Sequence, residues 1–157
     1  KQLGDDALTG AGRGLHHFVN SKARKYAIIG TNRILYAYSG GVFYDIHPIK
    51  STTTLSNAFT TTNGSSTVTL TFASAHNINK FDIILLDNFS SITNSNFNSS
   101  NFDDNKFMVQ SIPTDTTLTI DVGSNESGSG ATTSGGIRVK HYYSVGPAVE
   151  VESTGYA

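Results

Sequence analysis

Thr67-Val68-Thr69-Leu70-Thr71-Phe72 alternates hydroxyl and hydrocarbon at every step, and this period of two constrains the fold more than any other feature of the chain. Only an extended strand puts Val68, Leu70 and Phe72 on one face and three threonines on the other. The pattern recurs. Leu118–Val122 alternates again behind the turn Pro113-Thr114-Asp115, and Phe81–Leu86 is almost wholly apolar, as a strand buried on both faces must be. Lys106–Ile112 reads as a further strand, and Ile137–Tyr143 as a last one after Ser134-Gly135-Gly136. No stretch sustains the i, i+3, i+4 apolar spacing of a helix, so the predicted class is all-β. Between Ser51 and Gly136, 48 of 86 residues are Ser, Thr, Asn or Gly. Such a composition reads as low complexity until the strand periods are seen in it. Short strands with threonine-rich outer faces predict a small β-barrel or sandwich over residues 51–143.

A second pattern precedes it. Lys25–Gly30, Arg33–Tyr38 and Val42–Ile46 are three aromatic and β-branched runs separated by Thr31-Asn32 and by Ser39-Gly40-Gly41. Gly40-Gly41 supplies the positive φ of a tight hairpin, and Pro48 ends pairing because it has no N–H to donate. Residues 24–50 therefore predict a three-stranded antiparallel meander. Ile34, Tyr36 and Tyr38 share one face of its middle strand, and Val42, Tyr44 and Ile46 share a face of the third. Residues 1–23 read as a flexible N-terminal arm, glycine-spaced up to Gly14, with Leu15 to Val19 as a short strand. Residues 144–157 read as a segment returning to the meander. Asn88–Asn105 is the long loop of the second module, and its Phe89, Phe97 and Phe102 fold over the barrel as a lid or, exposed, form a contact tip.

Charge and cysteine usage narrow the function classes. The formal net charge is −1, which favours neither a nucleic-acid nor a membrane-surface protein overall. The balance is uneven, with seven Lys/Arg against three Asp in residues 1–50 and four against nine acids in residues 51–157. The absence of cysteine excludes disulfide scaffolds, zinc-thiolate sites and thiol nucleophiles within these residues. Four Asn-x-Ser sequons begin at Asn63, Asn88, Asn98 and Asn125, as chance allows in a chain so rich in Asn and Ser. No apolar run approaches the ~20 residues of a membrane span, so no membrane anchor is expected. The first residue is Lys1 rather than Met, which predicts a processed chain or a piece of a longer polypeptide.

"AIIGTNRILYAYSGGVFYDIHPI" (Ala27–Ile49) resembles a pattern of the tail nozzle and hub (tubular tail) proteins of short-tailed bacteriophages. In that family a strand ends in Gly-Thr, an aromatic strand contains Leu-Tyr, and Gly-Gly precedes Tyr-Asp-Ile-Thr-Pro-Ile. This chain departs at His47, where the family usually has Thr. "STVTLTFASAHNINKFDIILL", "FMVQSIPTDTTLTIDV" and "ATTSGGIRVKHYYSVGP" are similar to the inserted small β-domains of such proteins. The resemblance covers about residues 14–147 and its motifs are structural. It implies a meander belonging to a larger ring-forming or propeller-like β-domain, a decorating β-barrel, and a location in the virion tail. It also implies a turn-capping role for His76. The implied partners are other copies of the chain in a ring, neighbouring tail or portal and adaptor proteins, and DNA passing transiently through a lumen.

Candidate chemistry is sparse. Asp45-x-His47 puts two potential metal legs on one face, with His16 or His17 as a third, against the plainer reading of a hydrogen-bonded strand end. Asn101-x-Asp103-x-Asn105 mimics the start of an EF-hand loop, yet Lys106 stands where Gly is needed and Ile112 where the bidentate Glu belongs. Asp82, Asp87, Asp103 and Asp104 flank turns and strand ends, where Asp is ordinary. There is no Gly-x-Ser-x-Gly elbow, no phosphate loop, and Gly10-x-Gly12-x-Gly14 follows no strand. The cluster Lys22, Arg24, Lys25 with Arg33 reads as a solvated face or the lining of a channel. Neither an enzyme nor a cofactor is expected. Six aromatic residues are the predicted contact surface: Tyr36, Tyr38, Phe43 and Tyr44 in the meander, Phe97 and Phe102 in the loop. The alternative role is receptor or carbohydrate binding by the 88–105 loop, since aromatic rings beside Asn amides suit sugars.

Overall fold

The computed structural model describes residues 8–56, 59–89, 96–124 and 136–145, and within them the chain is all-β apart from one helical turn. It divides into two compact units, residues 1–48 with 143–157, and residues 49–142.

The first unit is a single antiparallel sheet in the order β1 (Gly12–Val19), β2 (Lys25–Thr31), β3 (Leu35–Ser39) and β4 (Val42–Asp45). The three expected strands are present, and a fourth joins them. Leu15–Val19, expected as a short strand within the arm, makes up most of it, and the strand reaches back to Gly12, pairing along β2 from Gly12↔Thr31 to Val19↔Lys25. Gly12 and Gly14 hide its beginning from a propensity reading, but pairing supplies hydrogen bonds that local propensity does not. Two turns fix the register. Gly40 and Gly41 sit at φ 61° and 91°, the signature of a type I′ hairpin whose twist matches its strands. At the β2–β3 turn, the Thr31 hydroxyl accepts the N–H groups of Arg33 and Ile34 at 3.0 and 2.8 Å and donates to the Thr9 carbonyl.

The second unit has two four-stranded sheets. One is ordered β10-β11-β7-β6, from Ser111–Thr114, Thr117–Asp121, Thr67–Thr71 and Phe59–Thr61. The other is ordered β5-β12-β8-β9, from Ile49–Leu55, Ile137–Tyr142, Ile83–Asp87 and Asn105–Met108. Val68 and Leu70 of β7, Leu118 and Ile120 of β11, and Ile84 and Leu86 of β8 are all fully buried in one core. Burying two sheet faces against each other in this way is the usual solution for strands with one oily side.

Three differences from the sequence expectation have local causes. Lys106–Ile112 is not one strand, because the chain leaves one sheet at Met108 and enters the other at Ser111. Buried Val109 sits between, its amide bonded to the Asp82 carbonyl and its carbonyl to the Phe81 amide. Ile49–Leu55 is a strand although only Leu55 is buried, since β12 pairs with it over its length. Ser99–Phe102 forms a helical turn α1, capped by Asn98, whose side chain accepts from the Ser100 amide while Asn101 answers to the Asn98 amide.

Candidate interaction surface

Alternation within the first unit assigns every side chain to a face. Pairs such as His16↔Ile28, Ile28↔Ala37 and Ala37↔Tyr44 align Phe18, Tyr26, Ile28, Leu35, Val42 and Tyr44 on one face. Leu15, His17, Ile29, Tyr36, Tyr38 and Phe43 lie on the other. Few of these apolar groups are covered. Among the described residues of this unit, only Ile34, Tyr36 and Ala37 are buried hydrophobics. The two edge strands expose the most: Leu15 71%, Val19 59% and Phe18 42% on β1, and Tyr44 52% and Val42 48% on β4. The rings of Phe18 and Tyr26 stack at 5.4 Å, with His16 continuing the row at 6.3 Å.

The predicted contact residues separate into two groups. Tyr44 is exposed, and Tyr38 and Phe43 are half-buried with their rings 4.8 Å apart. Tyr36 is buried and its hydroxyl accepts from the Thr9 amide at 3.0 Å. Phe97 and Phe102 are buried at 4% and 0% exposure and belong to the core of the second unit. Phe102 is surrounded by Phe89 stacked at 4.7 Å and by Phe59 and Phe97 edge-on at 5.0 and 5.6 Å. A sugar platform needs rings that face solvent, and these face inward. Sequence reasoning missed Leu15, Phe18, Val19 and Val42 as surface groups. Their signal was the period of two, which fixes a face but not whether anything lies against it.

The polar candidates are engaged structurally. His47 is buried, its Nδ1 accepts from the Leu35 amide at 3.3 Å and its Nε2–H donates to the Tyr143 carbonyl at 2.6 Å. Its own amide donates to Asp45 Oδ1. With both ring nitrogens occupied, His47 is no metal leg. His16 and His17 lie on β1, on opposite faces. No three His, Asp or Glu side chains converge as a metal cage among the described residues. His76 accepts from the Ile78 amide at 3.0 Å and so caps its turn.

Three of the four catalytic candidates, Asp82, Asp87 and Asp103, hold local structure through their carboxylates, while Asp104 is engaged through its amide, which donates to the Leu86 carbonyl. Asp82 Oδ2 meets His141 Nε2 at 2.8 Å and accepts from the Asn79 amide. Burial pushes His141 below the usual histidine range, and the Asp82 carboxylate only partly offsets that. Asp87 binds Arg138 through two hydrogen bonds and contacts the Lys140 ammonium. Burial raises its pKa, but the Lys140 and Arg138 contacts together hold the carboxyl below the ordinary range. Asp103 accepts from the Phe89 amide at 2.7 Å, and Asn105 donates to the Ser100 carbonyl. Asn101, Asp103 and Asn105, spaced like the start of an EF-hand loop, thus make local contacts with the backbone.

The described residues of the first unit are predominantly basic. They carry Arg13, Lys22, Arg24, Lys25 and Arg33 against Asp45 alone. Arg13, Lys22, Arg24 and Lys25 are exposed and form no ion pair among the described residues. No family model matches the chain, and no curated protein matches it. Among solved structures, the chain is similar to Phage phi92 endosialidase, with 16% identity and a TM-score of 0.45. The overlap covers 83% of this chain and 18% of that one.

Proposed function

We propose that this chain is a structural component of a tailed-phage virion, a tail nozzle or hub subunit that assembles into a ring through the sheet of β1 to β4. One observation carries the proposal: the sheet has unpaired outer edges among the described residues, and both edge strands expose large apolar side chains. A unit with three buried hydrophobic residues among those described is half of a two-layer structure, and contact with another subunit supplies what it lacks. The resemblance of Ala27–Ile49 to nozzle and hub proteins names the setting. Leu15, Phe18, Val19, Tyr38, Val42, Phe43 and Tyr44 make the contacts. The second unit, with its own core and polar exterior, decorates the assembly. Neighbouring tail, portal or adaptor proteins are the outer partners, and DNA passes through the lumen. A head-to-tail contact that closes gives cyclic symmetry.

Electron microscopy of the purified chain at micromolar concentration tests this. Closed rings of one size are expected. A solitary monomer, or one that turns over a small molecule or polysaccharide, overturns it.

A further inference from the structure

Among the described residues, strand β1 is an open edge of an unusual kind. All eight of its residues are exposed, on both faces of the sheet. Natural edges are blunted by proline, by inward charges, by bulges or by a covering segment. From Leu15 to Val19, β1 carries no proline and no register shift, its one irregularity lying between Gly12 and Gly14. The Asn20 amide donates to the Arg24 carbonyl at 2.9 Å, which turns the backbone groups of Asn20, Phe18 and His16 toward β2. Alternation leaves those of Leu15, His17 and Val19 pointing away from the sheet, ready to bond another strand. Around this edge stand Arg13, Lys22, Arg24 and Lys25, exposed and without ion pairs among the described residues. An edge so placed selects an extended segment with acidic side chains.

The chain itself contains one. Val149-Glu150-Val151-Glu152, outside the described residues, alternates apolar and acidic side chains in sequence. We propose that this segment of a second copy adds antiparallel to β1 by strand addition, making the contact between subunits directional. The partner subunit's acidic strand places its valines beside Phe18 and His16, on the face that already bears the Phe18–Tyr26 stack. Its glutamates fall on the opposite face, at the level of His17 and Leu15 and next to Arg13.

A copy cannot satisfy its own β1 in this register. Tyr143 is tied to His47 and Pro48 beyond the end of β4. From there to a position outside Phe18 is about four strand spacings across and about five residues along, roughly 25 Å. Six residues from Tyr143 to Val149 span at most about 20 Å. The contact is therefore between copies, head to tail. It rests on the assembly proposed above and names the strands that make it.

The chain has no cysteine, so introduced thiols report cleanly. Chains carrying His16→Cys and chains carrying Val151→Cys are mixed under mild oxidation, with Phe18→Cys and Val149→Cys as a second pair. The mismatched pair His17→Cys with Val151→Cys, on opposite faces, is the control. Mixed disulfide dimers in both matched pairs, with at least a tenfold lower yield in the control, are expected. Rings that form with no matched cross-link, or with equal yield in the control, overturn the strand assignment and leave the assembly standing. A chain that sediments only as a monomer overturns both.

Discussion

The imidazole of His47 donates to the carbonyl oxygen of Tyr143, 96 residues further along the chain, at 2.6 Å. The Tyr143 amide bonds the Pro48 carbonyl beside it. These contacts fasten the place where the backbone leaves the first unit to the place where it returns. His47→Ala leaves the Leu35 amide and the Tyr143 carbonyl without their partner, at a cost of about 1–3 kcal/mol. Hydrogen exchange checks this: protection at Leu35 falls in the variant, while protection in β8 and β12 is unchanged. His47→Thr, the residue usual in the resembling family, does not restore it, because a hydroxyl on so short a side chain does not reach both partners.

Phe102 is the packing centre of the second unit. Phe102→Ala removes a fully buried ring in contact with Phe59, Phe89 and Phe97 and costs about 3–5 kcal/mol. Tyr44→Ala, at an exposed position, changes unfolding stability by less than about 0.5 kcal/mol. Urea unfolding separates the two. A small effect at Phe102 would show that its ring is a surface contact after all.

Acid acts on the second unit in two separate windows. His141 has a folded-state pKa below its ordinary 6.5, so the unfolded chain takes up the proton more readily. Stability is therefore full above about pH 7 and falls as pH drops through 6.5 toward the folded value. Lys50 and His76 push in the same direction and Asp82 opposes them. Asp87, held below 3.8 by Lys140 and Arg138, contributes stability that is lost only at lower pH. The urea midpoint is expected to drop between pH 8 and pH 5, with His141→Gln flattening that drop. A midpoint that rises toward pH 5 would contradict the sign.

The hairpin between β3 and β4 depends on glycine at two positions. Gly40→Ala and Gly41→Ala force a Cβ into left-handed backbone, at about 1–2 kcal/mol each. Neither meets a neighbouring atom within 4 Å, so the cost is conformational alone. Gly40→Asn, which tolerates that region, is expected to recover most of the loss in a thermal melt.

Period and turn chemistry made much of this fold legible. Gly40-Gly41 marked the hairpin, and the alternation at Thr67–Phe72 correctly assigned inward and outward residues, whereas in Leu118–Val122 Thr119 is buried together with Leu118 and Ile120. Strands made by pairing rather than by their own pattern were not legible. β5 is a run of exposed threonines completed by β12, and Gly12–Gly14, the start of β1 ahead of the expected Leu15–Val19, is completed by β2. The loop phenylalanines show the converse. Sequence marked Phe89, Phe97 and Phe102 as rings in a polar stretch, but only the fold shows that they close a core. The surface groups at Leu15 and Val19 could not be read at all, because exposure depends on what lies opposite a strand.

Strand addition at β1 is tested most directly by sedimentation velocity of the chain beside its His17→Pro variant. The His17 amide points away from β2, so proline there removes no bond within the sheet, yet it deletes a donor that an incoming strand requires. The unaltered chain is expected to sediment as one closed oligomer, and the variant, with unchanged circular dichroism, as a monomer. Equal sedimentation of the two, as rings or as monomers, would contradict the central claim.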